Sequence, residues 1–219
     1  MSLSRAASVE AIGTALLLAI VVGSGIMGQR LSGGNAAVAL MANAIATGMG
    51  LYVLIGMFRP FSGAHFNPVV SVVNAWEGQL PPRSCAIYLL AQTGGAFTGV
   101  ITAHAMFGLP LLQLSTHLRP TLGEGIGEVI ATFGLVLVIL LFSRFQPESV
   151  PVAVAAFIIS AYWFTSSTSF ANPAVTLARA GTDTFAGIAP QSVPLFIVGQ
   201  LVGGSAATLF ARWLVRHLS

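Results

Sequence analysis

Two short segments begin with asparagine and proline, and their residue types suit a site inside a membrane. The segments are Asn67-Pro68-Val69 and Asn172-Pro173-Ala174. Asparagine caps helices well and proline fits the first helical turn, so each pair predicts the start of a helix. A helix N-terminus carries about half a positive charge, and the Asn side chain adds amide N–H donors. Two such ends that face each other would repel cations and orient a passing water molecule or hydroxyl group.

Two acidic residues, Glu10 and Glu128, lie inside otherwise apolar stretches. An acid at membrane depth is costly and indicates a specific role. One interpretation is a coupling site for H⁺ or Na⁺, which would make the protein a secondary transporter. The other is that each carboxylate accepts hydrogen bonds from non-helical backbone before an Asn-Pro segment, where lipid offers no partner. The occurrence of one such Glu in each half of the chain favours the second interpretation.

The composition indicates that these residues lie in a membrane protein. Of the 219 residues, 55% are hydrophobic and 7% are charged, whereas a soluble domain carries about 25% charged residues. The mean hydropathy is +0.87. The apolar runs are long and do not alternate, which argues against a β-barrel and predicts membrane-spanning helices. Hydropathy predicts six spans, near 8–28, 36–58, 84–107, 126–143, 151–166 and 192–214.

The two halves of the chain, about 1–110 and about 121–219, resemble each other. Each contains a Glu, then Asn-Pro, then a Gln, and the matched pairs are Glu10 and Glu128, Asn67 and Asn172, and Gln92 and Gln200. Each half holds three spans and one half-helix, at Asn67 to Trp76 and at Asn172 to Ala180. An odd number of spans reverses the second half, which predicts an inverted repeat with its site where the interrupted segments meet. We therefore expect a single all-α membrane domain over residues 1–219.

The residues around both Asn-Pro pairs resemble a known family. Ser62-Gly63-Ala64-His65-Phe66-Asn67-Pro68-Val69 and Phe170-Ala171-Asn172-Pro173-Ala174 look like the paired signature loops of the major intrinsic protein family, the aquaporins and aquaglyceroporins. Val69 in place of alanine is a mild departure. The resemblance implies six tilted helices plus two re-entrant half-helices, one pore per subunit and a homotetramer. It also implies that Glu10 and Glu128 support the loops, and that the protein is a channel without a cofactor, not an enzyme.

The resemblance also implies an outer constriction formed by four residues, which are Thr47, Ser160, Ser169 and Val175. The family usually has arginine at the position of Val175 and often has aromatic residues elsewhere in this ring. Valine removes a fixed charge, several N–H donors and a bulky side chain. The remaining ring is small, mildly polar and uncharged, and we expect it to pass solutes larger than water.

Thr176 follows Val175, where the glycerol branch of the family usually has Asp. The chain is similar to a bacterial branch without the filter arginine, which has Asn-Pro-Ala-Val in the second loop and is often linked to arsenic-resistance genes. This similarity implies a passive channel for glycerol-like polyols, arsenite, methylated arsenicals and water. Two alternatives stay open. One is a water-selective channel, in which Arg119 or Arg179 refills the constriction, and the other is the ion-coupled transporter.

Three further side chains have two interpretations each. Arg179 follows Val175 by one helical turn, so it lines the outer vestibule or extends to lipid headgroups. Arg119 precedes the fourth span and either folds into the mouth or is solvated. His65 lines the cytoplasmic half of the pore or braces its loop.

The arginines also bear on orientation and partners. Six of the nine fall on one side of the predicted topology, which favours an orientation with both termini cytoplasmic. We expect the membrane to be the inner (plasma) membrane. The arginines are scattered at span ends, which argues against nucleic-acid binding. The expected partners are therefore small neutral solutes and the lipid bilayer. A single cysteine, Cys85, allows neither an internal disulfide nor a cysteine-based metal site.

Overall fold

The computed structural model describes residues 1–216, and the C-terminal residues 217–219 lie outside the described part. The described chain is helical, and its α-helices in order are α1 (Leu3–Leu31), α2 (Ala36–Ser62), α3 (Pro68–Trp76), α4 (Pro82–Phe107), α5 (Leu122–Phe145), α6 (Val150–Phe164), α7 (Pro173–Arg179) and α8 (Val193–Val215). Short 3₁₀ turns, Pro147–Ser149 and Pro190–Ser192, precede α6 and α8. Six of the helices within residues 1–216 are long and apolar enough to cross a membrane. The predicted all-α fold with six spans is confirmed.

The two short helices, α3 and α7, begin as their Asn-Pro pairs predict. The Asn67 side chain accepts a hydrogen bond from the backbone N–H of Val69 at 3.0 Å. The Asn172 side chain accepts from Ala174 N at 3.0 Å and from Val175 N at 3.3 Å. Proline is the first residue of each helix, where its missing N–H leaves no unsatisfied donor. In both half-helices the Asn side chain therefore caps the first turn.

The helices of the two halves pack in equivalent pairs. α1 lies against α4, and α5 lies against α8. Glycine permits both close approaches, because a Cβ at Gly95 would lie 2.2 Å from the carbonyl oxygen of Ala11, and a Cβ at Gly203 would lie 2.3 Å from that of Val129. A further contact, between α2 and α6, joins the halves to each other.

The inverted repeat gives the molecule two distinct faces. We call the side on which α1 begins the N-terminal face, and the side on which α1 ends the opposite face. α3 runs from the centre to the N-terminal face, where Arg212 Nε donates to Glu77 Oε1 at 2.7 Å and ties the end of α3 to α8. α7 runs from the centre to the opposite face. The N-termini of the two half-helices therefore point at each other.

Candidate solute pathway

The re-entrant loop before α3 is held by Glu10, which is fully buried. Its carboxylate accepts hydrogen bonds from Ser62 Oγ at 2.6 Å, His65 N at 3.0 Å, Phe66 N at 2.7 Å and Gln92 Nε2 at 2.8 Å. Two of these donors are backbone N–H groups that no helix satisfies. The carboxylate thus stabilises non-helical backbone that lipid could not.

Glu128 is fully buried and does the same for the loop before α7. It accepts from Phe170 N and Ala171 N, both at 2.8 Å, and from Gln200 Nε2 at 2.6 Å. These are the contacts that the structural interpretation of the two acids requires. No group of three or more His, Cys, Asp or Glu side chains suited to a metal ion occurs within residues 1–216.

Sequence reasoning missed one residue in each of these networks. Gln92 Nε2 also donates to Ser71 Oγ at 2.8 Å, and Gln200 Nε2 also donates to Thr176 Oγ1 at 2.8 Å. Ser71 and Thr176 each lie four residues after the Asn of their own pair. The presence of a hydroxyl residue at the same distance from Asn in both halves could have indicated that these two residues have the same structural role. Each half therefore links its Glu, its Gln and its half-helix in one hydrogen-bonded set.

The two Asn side chains also join the loops across the centre. Asn67 Nδ2 donates to Ala171 O at 2.7 Å, and Asn172 Nδ2 donates to Phe66 O at 2.8 Å. Phe66 and Ala171 have left-handed backbone, with φ of 49° and 47°, and their buried carbonyls need partners. One N–H of each Asn amide is therefore used within the protein. Each amide nitrogen carries two hydrogens, so at most one N–H of each Asn remains for a solute.

A cavity of about 590 Å³ contains both Asn side chains and extends to the N-terminal face. His65 lines this cavity and also bonds Ser71 Oγ through Nδ1 at 3.0 Å, so its side chain both faces the cavity and contacts the half-helix. Arg59 and Arg144 lie where the cavity reaches the N-terminal face.

Three of the four residues predicted for the outer ring, Thr47, Ser169 and Val175, line the same cavity. The prediction for Ser160 is wrong. Its side chain is exposed on the outside of α6, and its Oγ donates to the Ala156 carbonyl of the preceding turn at 2.9 Å.

Tyr162 takes the inward position on α6. It is buried, it lines the cavity, and its hydroxyl donates to Thr47 Oγ1 at 3.3 Å. Side chains two residues apart on a helix point about 200° apart, so a placement that is wrong by two residues turns a side chain from the pore to the lipid. The inward position on α6 is therefore aromatic, whereas the residue that was expected there, Ser160, is small.

Arg179 is turned into the protein and is only 3% exposed. Its guanidinium carbon lies 3.4 Å from the centroid of the Phe170 ring, and its Nε donates to the carbonyl of Ala186. The Phe170 ring in turn packs edge-on against Phe196, with 5.0 Å between centroids. Arg179 therefore does not extend to lipid headgroups. Its guanidinium is held by the Phe170 ring and by the carbonyl of Ala186.

Arg119 folds into the same region from the loop before α5. Its Nε donates to Gly187 O and its Nη1 to Ser167 O, both at 3.3 Å. Its guanidinium carbon lies 5.1 Å from the centroid of the same Phe170 ring. The pKa of Arg119 is lowered from its usual value, because the effect of burial outweighs the opposing effect of the negative charges of Glu124 and Glu128.

A second cavity, of about 350 Å³, lies at the opposite face. Asn43, His117, Arg119 and Phe185 line it, together with Arg179. Arg179 also lines the large central cavity, so it stands between the two. A solute that crossed the molecule would pass both Asn side chains, then Val175, and then the two arginines.

Six spanning helices around an inverted pair of half-helices, with a cavity on each side of Arg179, define a membrane channel. The family model for the major intrinsic protein matches residues 1–147. The aquaglyceroporin AqpS of Rhizobium meliloti (strain 1021) is 50% identical over 98% of this chain and 91% of its own length. The glycerol uptake facilitator protein of Bacillus subtilis (strain 168) is 28% identical over 92% of this chain and 81% of its own length.

The fold is also that of a solved relative. The X-ray structure of the aquaglyceroporin from Plasmodium falciparum matches with a TM-score of 0.78 and 21% identity, and it covers 95% of both chains. The chain belongs to the major intrinsic protein family. It is a multi-pass membrane channel and not an enzyme, as the resemblance of its loops predicts.

Proposed function

We propose that this channel passes small uncharged solutes, namely glycerol-like polyols, arsenite, methylated arsenicals and water. The observation that carries the proposal is Val175, which lines the pathway one turn after Asn172 with no charge and few atoms. Its neighbours in the ring, Thr47, Ser169 and Tyr162, offer hydroxyl groups. The names of the two curated relatives, an aquaglyceroporin and a glycerol uptake facilitator, support the same class of solute.

The ring suits neutral triols in particular. Glycerol and arsenous acid are compact, uncharged and carry three hydroxyl groups. Hydroxyl side chains can both donate to and accept from such groups, and Val175 contacts the apolar side of the solute. Because these contacts do not distinguish glycerol from arsenous acid, the proposal covers both solutes.

The cellular setting follows the same reasoning. We propose a homotetramer in the inner membrane with both termini cytoplasmic. Arg59, Arg144 and Arg212 all lie at the N-terminal face, and an excess of arginine marks the cytoplasmic side of a membrane protein. The family resemblance supports the tetramer.

A water-selective channel is the second candidate. Tyr162 narrows the ring beside Thr47, and Arg179 stands between the cavities with its guanidinium buried. A bulky cation at a narrow point favours water over larger solutes. This candidate differs from the first in one measurable property, which is the size limit of the pathway.

Stopped-flow light scattering on proteoliposomes tests both candidates. Osmotic shock reports water flux through vesicle shrinkage, and re-swelling reports glycerol, while arsenite uptake is measured directly. We expect fast, non-saturating flux of glycerol and arsenite, well above that of protein-free liposomes. Fast water flux with both solutes excluded would select the water-selective candidate, and no flux above the lipid background would overturn both.

A further inference from the structure

The two arginines at the opposite face, the buried Arg179 and the half-buried Arg119, are cations without an anionic partner. Within residues 1–216, neither Arg119 nor Arg179 forms an ion pair with a carboxylate, whereas Arg212 pairs with Glu77. A buried charge is costly unless it is paired and hydrogen-bonded. The cation–π contacts with Phe170 hold both guanidinium groups in place but supply no negative charge.

The acids in this part of the molecule are engaged elsewhere. Glu124 completes a capping box with Thr121 at the start of α5, and Glu128 holds the loop before α7. Asp183 accepts from the N–H of Thr116 at 2.8 Å and from its hydroxyl at 2.9 Å, and it lies 3.9 Å from His117. These three carboxylates do not line the second cavity, whereas Arg119 and Arg179 do.

Arg179 has unused hydrogen-bond donors beside both cavities. Its Nε is bonded to Ala186 O, while its two terminal nitrogens have no hydrogen-bond partner among the described residues. The side chain borders both cavities, so a molecule in either can reach it. A planar guanidinium fork matches the two oxygens of a carboxylate-like group better than it matches a spherical ion.

We infer that Arg119 and Arg179 form an oxyanion-binding subsite at the mouth, which takes a small monovalent anion of carboxylate geometry. A bound oxyanion lies beside Arg179, which borders both cavities, and competes with neutral solutes for passage. The competition rests on the proposed function, but the binding itself does not. The two can therefore be tested separately.

Binding is tested on the purified full-length protein in detergent. Sodium formate is the probe, and sodium chloride at equal ionic strength is the reference. A ligand that binds only the folded state raises the apparent unfolding temperature in a saturable way. We expect formate to raise it more than chloride does in the wild type, and the excess to vanish in Arg179→Met.

Arg30→Met is the matched control. Arg30 lies at the same face, and its guanidinium also stacks on an aromatic ring, 5.0 Å from the centroid of Phe107, but it lines neither cavity. This variant must keep the full formate effect. Arg179→Lys keeps the charge without the planar fork, and we expect it to need about tenfold more formate. If Arg179→Met does not fold, Arg179→Lys and Arg119→Met decide the question.

Competition is tested by glycerol re-swelling of proteoliposomes in rising formate. We expect saturable inhibition in the wild type and in Arg30→Met, and about tenfold weaker inhibition in Arg119→Met. An equal response to formate and chloride, or a formate effect that survives in Arg179→Met, would overturn the subsite. If glycerol does not permeate even without formate, the proposed function fails, and the unfolding temperatures still decide whether the subsite exists.

Discussion

Val175 and Arg179 lie on successive turns of α7 and on one face of that helix. At the first position there is an apolar side chain, and at the second a buried guanidinium. Positive charge is therefore present along the pathway, but it lies one turn nearer the opposite face than the ring of Thr47, Tyr162 and Ser169. At the level of Val175 the pathway is lined by small side chains and hydroxyl groups. Nearer the opposite face it is lined by arginine.

The substitution Val175→Arg tests the size limit at the ring. An arginine there would add a bulky cation beside Asn172 and Tyr162, in a cavity that the wild type leaves open. We expect glycerol flux to fall by about tenfold, equivalent to about 1.4 kcal/mol in the barrier, while water flux remains. Stopped-flow light scattering measures both, with Val175→Ala as a control that should conduct glycerol at least as well as the wild type. Unchanged glycerol flux in Val175→Arg would show that the narrowest point lies elsewhere.

The ring residues that lie close to Asn172 in the sequence could be predicted, and the one that lies further away could not. Ser169 and Val175 lie three residues before and after Asn172, so the short loop and the first helical turn fix their positions. The residue on α6 is separated from Asn172 by a non-helical loop, and its placement at Ser160 was wrong by two residues. The burial of Arg179 could not be predicted either, because it depends on a carbonyl at Ala186 that a later loop brings back.

At the scale of helices, a glycine allows α1 to pack closely against α4. Gly94 and Gly95 are adjacent on α4 but face different surroundings. A Cβ at Gly95 would lie 2.2 Å from Ala11 O, whereas a Cβ at Gly94 would meet nothing within 4 Å. Gly95 and Gly203 each follow the Gln of their repeat by three residues, and glycine is the residue that lets two helix backbones approach so closely.

The adjacent glycines give a matched pair of variants. Gly95→Ala forces α1 and α4 apart, so we expect it to destabilise the protein by about 1–3 kcal/mol. Gly94→Ala adds a methyl group in open space within a helix, so we expect it to be neutral or to stabilise by up to about 1 kcal/mol. The apparent unfolding temperature in detergent measures both. Equal effects of the two substitutions would mean that the α1–α4 contact is looser than the structure shows.

The re-entrant loops give a second test at this scale. In Glu128→Gln one acceptor oxygen becomes an NH₂ group, so a backbone N–H at Phe170 or Ala171 loses its partner. We expect a loss of about 1–3 kcal/mol in stability, read from the unfolding temperature. Glu77→Gln is the control, because its pair with Arg212 lies at the N-terminal face and such pairs contribute about 0–1 kcal/mol. Undiminished stability in Glu128→Gln would contradict a structural role for this acid.

For the whole molecule, the inverted repeat was readable from the sequence because its two halves keep the same order of Glu, Asn-Pro and Gln. The hydrogen bonds that cross between the halves were not readable. Asn67 bonds the second loop and Asn172 bonds the first, and such a contact joins residues more than one hundred positions apart. The repeat therefore predicted which elements meet at the centre. It did not predict that the Asn amide groups donate to backbone carbonyls of the opposite loop.

The symmetry of the two acids bears on energy coupling. Glu10 and Glu128 occupy equivalent places, both are fully buried, and both are bonded to backbone N–H groups of their loops. A coupling site must instead bind and release its ion during each transport cycle, which these loop contacts oppose. We therefore expect glycerol to reach the same concentration on both sides of a proteoliposome membrane, whether or not a proton or sodium gradient is imposed. The final internal glycerol level, measured with and without the gradient, is the readout. Accumulation above the external concentration, lost in both Glu10→Gln and Glu128→Gln but retained in Glu77→Gln, would establish coupling and exclude a passive channel.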